Sequence, residues 1–320
     1  MNFQLSAYSN RLLKPASEVF YSARKSFSTS YIESLYRNIR VKDWRAYFSL
    51  GVLGFFSGTT LTDVENLVVN FLKLTVTLSL YLAFAFSINN CFDVEGDALQ
   101  AKKLLKNPVA AGLISFKAGL VFSVCLALLG AFITVAWFHS SPFTVSLYLS
   151  KLLLAGFYSV PPLRLKSRPF FDLLSHGFFF GALPYLYGVS ISGDLTAQFL
   201  YVASSIFTYS LILELRNHVE DYAEDLLSGV ETTAVHLGYT RSQNLLKILL
   251  ALHWLYLTLL MSTLSLYVVT LPLSPLFYLI ARWKSVNVSS RYIRAADLLT
   301  CVAYALTAFS SGVRLEGSTL

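Results

Sequence analysis

Two clusters of carboxylates interrupt a chain that is otherwise strongly apolar. The first spans residues 89–97 and follows the apolar stretch 67–88, and the second spans residues 220–225 and follows the apolar stretch 199–213. Carboxylates at the end of a membrane helix are costly to desolvate, so they are usually partnered and functional. Two clusters with similar spacing therefore indicate divalent cations, and divalent cations at a membrane surface indicate a phosphorylated lipid as the substrate.

The first cluster places three oxygen-bearing side chains four residues apart. On a helix, Asn89, Asp93 and Asp97 share one face. Oxygen ligands on one stripe suit Mg²⁺, which binds through a few carboxylates plus substrate phosphates and keeps several waters. A charged helix end that reaches into lipid headgroups is the alternative interpretation of this cluster taken alone.

The second cluster repeats the same spacing. Asp221 and Asp225 are four residues apart, and Glu220 and Glu224 form a second pair about 100° around the helix. Like charges at this spacing destabilise a helix unless cations neutralise them. The simplest arrangement has both helix ends facing a cavity, with Mg²⁺ and a diphosphate between them.

Basic and phenolic side chains are available near both clusters. Arg164 and Lys166 follow Tyr158 in a loop that a double proline stiffens, and they can hold phosphate oxygens. Lys102 and Lys106 offer the same chemistry after the first cluster. Headgroup contact is the alternative for any one of them, but as a group beside the carboxylates they indicate an anion site.

The composition is that of an integral membrane protein. Of 320 residues, 55% are hydrophobic and 13% are charged, against about 25% charged residues in soluble domains. We predict an all-α fold, a multi-pass transmembrane bundle of about nine helices with a central cavity open near the cytoplasmic face. It occupies residues 44–315, after a basic cytoplasmic segment at 1–43. The predicted spans are roughly 44–62, 67–90, 116–138, 142–160, 170–192, 197–215, 243–262, 265–283 and 295–313.

The distribution of Lys and Arg among the loops predicts the orientation. The loops on one side lack basic residues, whereas those on the other side are rich in them, which is the positive-inside pattern. The N-terminus and both acidic clusters are therefore predicted to be cytoplasmic, in the cell membrane, with an organellar inner membrane as the alternative. The net charge of +7 indicates contact with anionic headgroups rather than nucleic acid.

One ionisable residue falls inside a predicted span. Lys151 lies two turns before Tyr158, and residues seven apart share a helix face. Lys151 is therefore expected to face the same cavity. The alternatives are a misplaced span boundary or a lysine that snorkels outward to the membrane surface.

Taken together, these motifs resemble the UbiA-type membrane prenyltransferase superfamily. The first motif of that family reads Asn-Asp-x-x-Asp-x-x-x-Asp, and this chain has Asn89-Asn90-x-x-Asp93-x-x-x-Asp97. The family's Tyr-Ser-x-Pro-Pro-x-Arg-x-Lys loop is present at residues 158–166.

The second family motif is also present and in the expected order. It reads Asp-x-x-x-Asp, then Gly-x-x-Thr, then Leu-Gly, and the matching residues here are Asp221, Asp225, Gly229, Thr232, Leu237 and Gly238. The resemblance covers about residues 40–315, and the nine predicted helices agree with the family fold.

The resemblance implies a Mg²⁺-dependent enzyme that ionises a polyprenyl diphosphate and joins the prenyl cation to a lipophilic acceptor. It implies that Asp93, Asp97, Asp221 and Asp225 are catalytic. The implied Mg²⁺ ligands are Asn89, Asp93 and Asp97 at one site and Asp221 and Asp225 at the other. The implied substrate contacts are Asn89, Asn90, Lys102, Lys106, Tyr158, Arg164 and Lys166.

Two positions depart from the family pattern. Asn90 replaces the usual second Asp of the first motif, so one negative charge is missing, although an amide oxygen can still bind a cation. Asn107 stands where many members have Arg, so the diphosphate-binding Arg is either absent or replaced in that role by Lys106.

Other functions stay open at this stage. The acceptor can be a quinone-precursor ring, a lipid glycerol ether, a porphyrin or chlorin, or a carotenoid. Within the same superfamily, the alternative is phosphoribosyl transfer to a polyprenyl phosphate. A cation transporter is the alternative from a different class, but transporters place ionisable residues near the bilayer midplane, whereas these carboxylates lie at one face.

Overall fold

The structure, a computed structural model, describes residues 30–59, 64–98, 101–263 and 291–312, apart from the side chains of residues 101, 102, 228, 263, 291, 292 and 309–312. Within these ranges the chain is helical and contains no β-strand. The helices are α1 (Tyr31–Asn38), α2 (Arg45–Gly58), α3 (Val64–Phe92), α4 (Val94–Ala98), α5 (Ala101–Leu104), α6 (Phe116–Phe138), α7 (Pro142–Ser159), α8 (Phe171–His176), α9 (Leu183–Ser192), α10 (Ala197–Glu220), α11 (Tyr222–Ser228), α12 (Thr233–Leu237), α13 (Tyr239–Thr263) and α14 (Arg291–Gly312).

The all-α, membrane-spanning class is confirmed. Four of the described helices, α3, α6, α10 and α13, are long and apolar enough to cross a membrane. The predicted span 170–192 is divided into α8, a π-helical turn at Gly177–Ala182, and α9. The predicted span 265–283 lies outside the described residues, so the count of nine helices stays a prediction.

The first acidic motif lies at a helix break. Helix α3 ends at Phe92 and α4 begins at Val94, yet helical hydrogen bonding continues across the junction. The Asp93 N–H donates to Asn89 O at 3.0 Å, and the Asp97 N–H donates to Asp93 O at 2.8 Å. The four-residue spacing therefore still places these three residues on one face.

The chain packs as two compact units. Among the described residues, one unit joins those up to Asp43 to those within 83–126, and the other joins those within 44–82 to those from residue 127 onward. The first acidic motif belongs to the first unit. The second motif and the loop 158–166 belong to the other.

Buried amides and hydroxyls organise the first unit. Asn90 Nδ2 donates to both the backbone oxygen and Oδ1 of Asn38, each at 3.0 Å. Asn38 Nδ2 donates to Ser87 Oγ at 2.5 Å, and Ser123 Oγ donates to the same Ser87 Oγ at 2.7 Å. All four residues are buried. This chain of hydrogen bonds connects the end of α1 to α3 and α6.

The second unit contains helices whose backbones approach closely. A Cβ added to Gly54 of α2 would lie 1.9 Å from Tyr185 O, and one added to Gly188 of α9 would lie 2.0 Å from Gly51 O. Small residues at such positions are typical of packed membrane helices. A cluster of buried apolar side chains from α8, α9, α10, α13 and α14 forms the core of this unit.

Lys151 is fully buried within the second unit. Its Nζ lies 3.6 Å from the ring centroid of Tyr187, 4.6 Å from that of Tyr81 and 4.9 Å from that of Tyr148. This amine has no hydrogen-bond partner in the described part of the chain. The outward-snorkelling alternative is therefore wrong, and Lys151 faces three aromatic rings in the interior.

Replacement of Asn90 by Asp should destabilise the first unit. The change replaces two donated hydrogen bonds with a buried carboxylate that faces the acceptor oxygens of Asn38. We expect a loss of about 1–3 kcal/mol or more in unfolding free energy, measured by thermal unfolding of the purified protein in detergent. Asn89→Asp, at the more exposed neighbouring position, is the matched control. An Asn90→Asp variant as stable as the control would show that the amide is not required.

Replacement of Lys151 by Met should leave thermal stability unchanged or raise it. Met keeps the length of the side chain and removes an unpaired buried amine, whose desolvation costs more than the attraction of the rings returns. Lys151→Ala should instead lose about 2–5 kcal/mol because it leaves a cavity. If Met and Ala destabilise equally, the contacts of the amine with the three rings outweigh its desolvation.

Candidate active site

Asp97 of the first motif is positioned by a buried amide. Asn107 Nδ2 donates to Asp97 Oδ2 at 2.8 Å and to the backbone oxygen of Asn90 at 2.9 Å. Asn107 Oδ1 accepts from the N–H groups of Val109, at 3.0 Å, and Ala110, at 3.1 Å. Asn107, which stands where many family members have Arg, therefore joins the following loop to both α3 and α4.

The surroundings of Asp97 disfavour the ionised form of its carboxyl group. Burial raises the pKa of this carboxyl, and the charge of Asp93 raises it further. The hydrogen bond from Asn107 and the charges of Lys103 and Arg40 lower the pKa without offsetting burial. A cation bound beside Asp93 and Asp97 would relieve this repulsion.

The predicted diphosphate contact Lys106 is held by a carboxylate. Lys106 Nζ lies 3.2 Å from Asp43 Oδ1, and Arg40 Nε donates to Asp43 Oδ2 at 2.9 Å. Burial raises the pKa of Asp43, but the hydrogen bonds and charges of Arg40 and Lys106 outweigh it and lower the pKa overall. Sequence reasoning missed Arg40 and Asp43 as neighbours of this site. The side chain of Lys102 lies outside the described residues.

The second motif also continues across a helix break. The Asp221 N–H donates to Asn217 O at 2.8 Å, and the Asp225 N–H donates to Asp221 O at 2.9 Å. Gly229, with φ +69°, ends α11 in the left-handed conformation that favours glycine. The chain then turns so that Thr232 Oγ1 donates to Asp225 Oδ2 at 3.3 Å. The Gly-x-x-Thr motif thus orients the second aspartate.

The loop after α7 carries the basic residues of the second unit. Arg164 adopts a left-handed conformation, with φ +36°, and its N–H donates to Val160 O at 2.9 Å. Arg164 and Lys166 are both partly exposed. Tyr158, near the end of α7, donates its hydroxyl proton to Glu214 Oε1 at 2.6 Å.

Glu214 lies at the centre of a buried polar network. His176 Nε2 lies 3.4 Å from Glu214 Oε2, and His218 Nε2 lies 3.3 Å from Glu214 Oε1. Asn217 Nδ2 donates to Glu214 Oε2 at 3.1 Å. With the Tyr158 hydroxyl, the carboxylate of Glu214 has four polar neighbours, drawn from α7, α8 and α10.

The network extends to a second buried carboxylate. His218 Nδ1 lies 3.5 Å from Asp172 Oδ2, without the alignment of a hydrogen bond. The Thr233 N–H donates to Asp172 Oδ2 at 2.6 Å, and the Leu173 N–H donates to Asp172 Oδ1 at 2.7 Å. Asp172 is fully buried.

Sequence reasoning missed this network, although one signal was available. Glu214 and His218 are four residues apart in an apolar helix and precede Asp221 and Asp225 by seven residues each. All four therefore share one helix face by spacing. Ionisable residues inside a membrane helix are functional by default, so this extension of the second motif could have been found.

The described residues fit a Mg²⁺ ion that protein carboxylates share with substrate phosphates, rather than an ion bound by protein groups alone. Within the described ranges, no group of three or more His, Cys, Asp or Glu side chains is arranged to hold a metal. Each acidic motif offers two carboxylates, and Mg²⁺ is commonly bound by one or two carboxylates plus substrate phosphates. Asn90 Oδ1 is a further buried oxygen, without a hydrogen-bond partner in this part of the chain.

Two curated relatives illustrate what this chain is similar to. A digeranylgeranylglyceryl phosphate synthase from Sulfolobus acidocaldarius is 30% identical over 182 residues, 57% of this chain and 62% of the relative. A probable chloroplastic homogentisate phytyltransferase from Oryza sativa is 29% identical over 163 residues, 48% of this chain and 41% of the relative. The chain thus matches less than two thirds of the length of these curated relatives.

Solved structures share the fold at lower identity. A UbiA homolog from Archaeoglobus fulgidus bound to GPP and Mg²⁺ has a TM-score of 0.69 and 19% identity, covering 87% of this chain and 99% of the homolog. A structure of digeranylgeranylglyceryl phosphate synthase has a TM-score of 0.69 and 15% identity, covering 90% of this chain and all of the other. The family model for the UbiA prenyltransferase family matches residues 49–300. This protein belongs to the UbiA prenyltransferase family.

Proposed function

We propose that this protein transfers a polyprenyl group from a polyprenyl diphosphate to a lipophilic acceptor. The observation that carries the proposal is the pair of aspartates at each of two membrane-helix ends, with helical hydrogen bonding retained between Asp93 and Asp97 and between Asp221 and Asp225. The A. fulgidus homolog that shares the fold was solved with GPP and Mg²⁺, which supports the same donor class here.

The aspartates are proposed to bind Mg²⁺, which neutralises the charge of the leaving diphosphate. One set of ligands is Asn89, Asp93 and Asp97, and the other is Asp221 and Asp225. The protein groups proposed to contact the donor are those that the family resemblance implies. These are Asn89, Asn90, Lys102, Lys106, Tyr158, Arg164 and Lys166.

The membrane arrangement is proposed from the sequence. A basic cytoplasmic segment at residues 1–43 would precede a domain at 44–315 with nine spans and a cavity open near the cytoplasmic face. The asymmetry of Lys and Arg between the loops supports a cytoplasmic N-terminus in the cell membrane.

The acceptor is to be identified by experiment. The relatives' names refer to a glyceryl phosphate lipid, to homogentisate and to lycopene. Purified protein in nanodiscs should be incubated with geranylgeranyl diphosphate, Mg²⁺ and each acceptor class, and the lipid products identified by mass spectrometry. Release of diphosphate that depends on Mg²⁺ distinguishes the proposal from cation transport, and the product mass distinguishes it from phosphoribosyl transfer.

Asp93→Asn and Asp225→Asn should each reduce turnover by at least about 100-fold, because each removes a charge that stabilises the bound cation and the leaving diphosphate. Turnover is measured as diphosphate released per minute over a Mg²⁺ titration. Glu95→Gln is the matched control, since Glu95 is exposed and lies on the same short helix as Asp97.

The control should retain wild-type turnover, and all three variants should be recovered from membranes in equal amounts. Near wild-type turnover of either Asp variant at limiting Mg²⁺ would contradict a metal site at both motifs.

A further inference from the structure

Three asparagines form one continuous chain of hydrogen bonds in the first unit. Asn38, Asn90 and Asn107 are all fully buried. Asn38 Oδ1 and the backbone oxygen of the same residue accept from Asn90 Nδ2, each at 3.0 Å. The backbone oxygen of Asn90 in turn accepts from Asn107 Nδ2 at 2.9 Å, and the same nitrogen donates to Asp97 Oδ2 at 2.8 Å. The chain therefore runs from the end of α1 to a carboxylate of the first acidic motif.

The surroundings of the three amides favour one orientation of each. If the Asn90 amide were reversed, its oxygen would face the two oxygens of Asn38, and acceptors that face each other repel. Asn38 Nδ2 donates to Ser87 Oγ, which leaves its Oδ1 for Asn90. Asn107 Oδ1 accepts from two N–H groups of the following loop, which leaves its nitrogen for the motif. Because a buried amide that loses its partner costs free energy, the chain holds these residues in a fixed geometry.

The chain fixes the last turn of α3, where the first acidic motif begins. The last carbonyl groups of a helix lack partners within that helix. Here the backbone oxygens of Asn38 in α1 and of Asn90 in α3 both accept from an asparagine side chain. Asn89 directly precedes Asn90, and Asp93 follows it by three residues. A displacement of Asn90 would therefore move the face that Asn89, Asp93 and Asp97 are proposed to present to a cation.

Binding of Mg²⁺ is sensitive to such displacements, because this ion demands near-ideal octahedral geometry. Residues that orient the ligands without touching the ion commonly change metal affinity by about 10–100-fold. We propose that Asn38 is a positioning residue that acts on Asp97 through the two other asparagines and sets the Mg²⁺ concentration that the first motif requires. Asn38 lies before residue 49, where the match to the family model begins. The inference rests on the proposed prenyltransferase function and assigns part of its metal requirement to the end of α1.

The test measures Mg²⁺-dependent binding of a donor analogue without turnover. Radiolabelled geranylgeranyl thiolodiphosphate, in which sulfur replaces the bridging oxygen to slow ionisation, is bound to purified protein in nanodiscs over a Mg²⁺ titration. All variants are measured below their melting temperatures. Asn38→Leu keeps the approximate size of the side chain and removes its amide. Asn107→Ser keeps a side-chain oxygen for the N–H groups of the following loop but removes the amide that donates to Asp97.

Both variants should require more Mg²⁺ for half-maximal binding of the analogue. We expect an increase of about 10-fold or more for Asn107→Ser and of about 3-fold or more for Asn38→Leu, which breaks the chain farther from Asp97. At saturating Mg²⁺ both should bind the analogue as tightly as the wild type. The double variant should show less than the product of the two increases, since both changes act on one geometry. Asn38→Ala is made in parallel and should give an increase in the same direction.

Ser123→Ala is the matched control, because it removes a buried hydrogen bond to Ser87 in the same unit but no link between Asn38 and Asp97. It should keep the wild-type Mg²⁺ dependence. A wild-type Mg²⁺ dependence of both Asn38 variants, or an equal increase in the control, would overturn the inference and leave the proposed function intact. Wild-type protein that shows no Mg²⁺-dependent binding of the analogue would instead reject the proposed function and this inference with it.

Discussion

The cost of an unpaired charge in an apolar bundle governs the organisation of this protein. Within the described residues, Asp97 is held by Asn107, Asp172 by Thr233 and Glu214 by Tyr158. Burial of a carboxylate without such partners would cost several kcal/mol of folding free energy. Each of these carboxylates therefore depends on the neighbour that satisfies it, and for Asp97 of the first motif that neighbour is Asn107.

A helix break places each acidic motif at the end of an apolar span. An aspartate comes directly after the last residue of both α3 and α10, and a short helix follows it, so the carboxylates lie where the apolar span ends. The hydrogen bonds from Asp97 to Asp93 and from Asp225 to Asp221 retain the helical spacing across each break. Two carboxylates four residues apart can then approach one cation, as a Mg²⁺ ion that shares its shell with phosphate requires.

At both positions that depart from the family pattern, the amide that replaces the charged side chain makes hydrogen bonds within the fold. Asn107 occupies a position where many members have Arg, and here its amide joins Asp97, Asn90 and the following loop through four hydrogen bonds. Basic charge on this side comes from Arg40 and Lys106, both held at Asp43. Asn90 likewise uses its amide nitrogen to bind Asn38, a bond that a carboxylate cannot make.

The sequence by itself determined what depends on local periodicity. Helix α6 has the predicted bounds 116–138, and α7 follows the predicted span 142–160 closely because apolar length and proline placement are local signals. The shared face of Asn89, Asp93 and Asp97 likewise follows from spacing alone. Only the tertiary structure decided which side chains meet across the fold. Tyr158 and Glu214 are 56 residues apart, Asp172 and Thr233 are 61 apart, and the three tyrosines around Lys151 come from separate helices. Such pairings depend on how helices pack, and a periodic pattern along one helix does not contain that information.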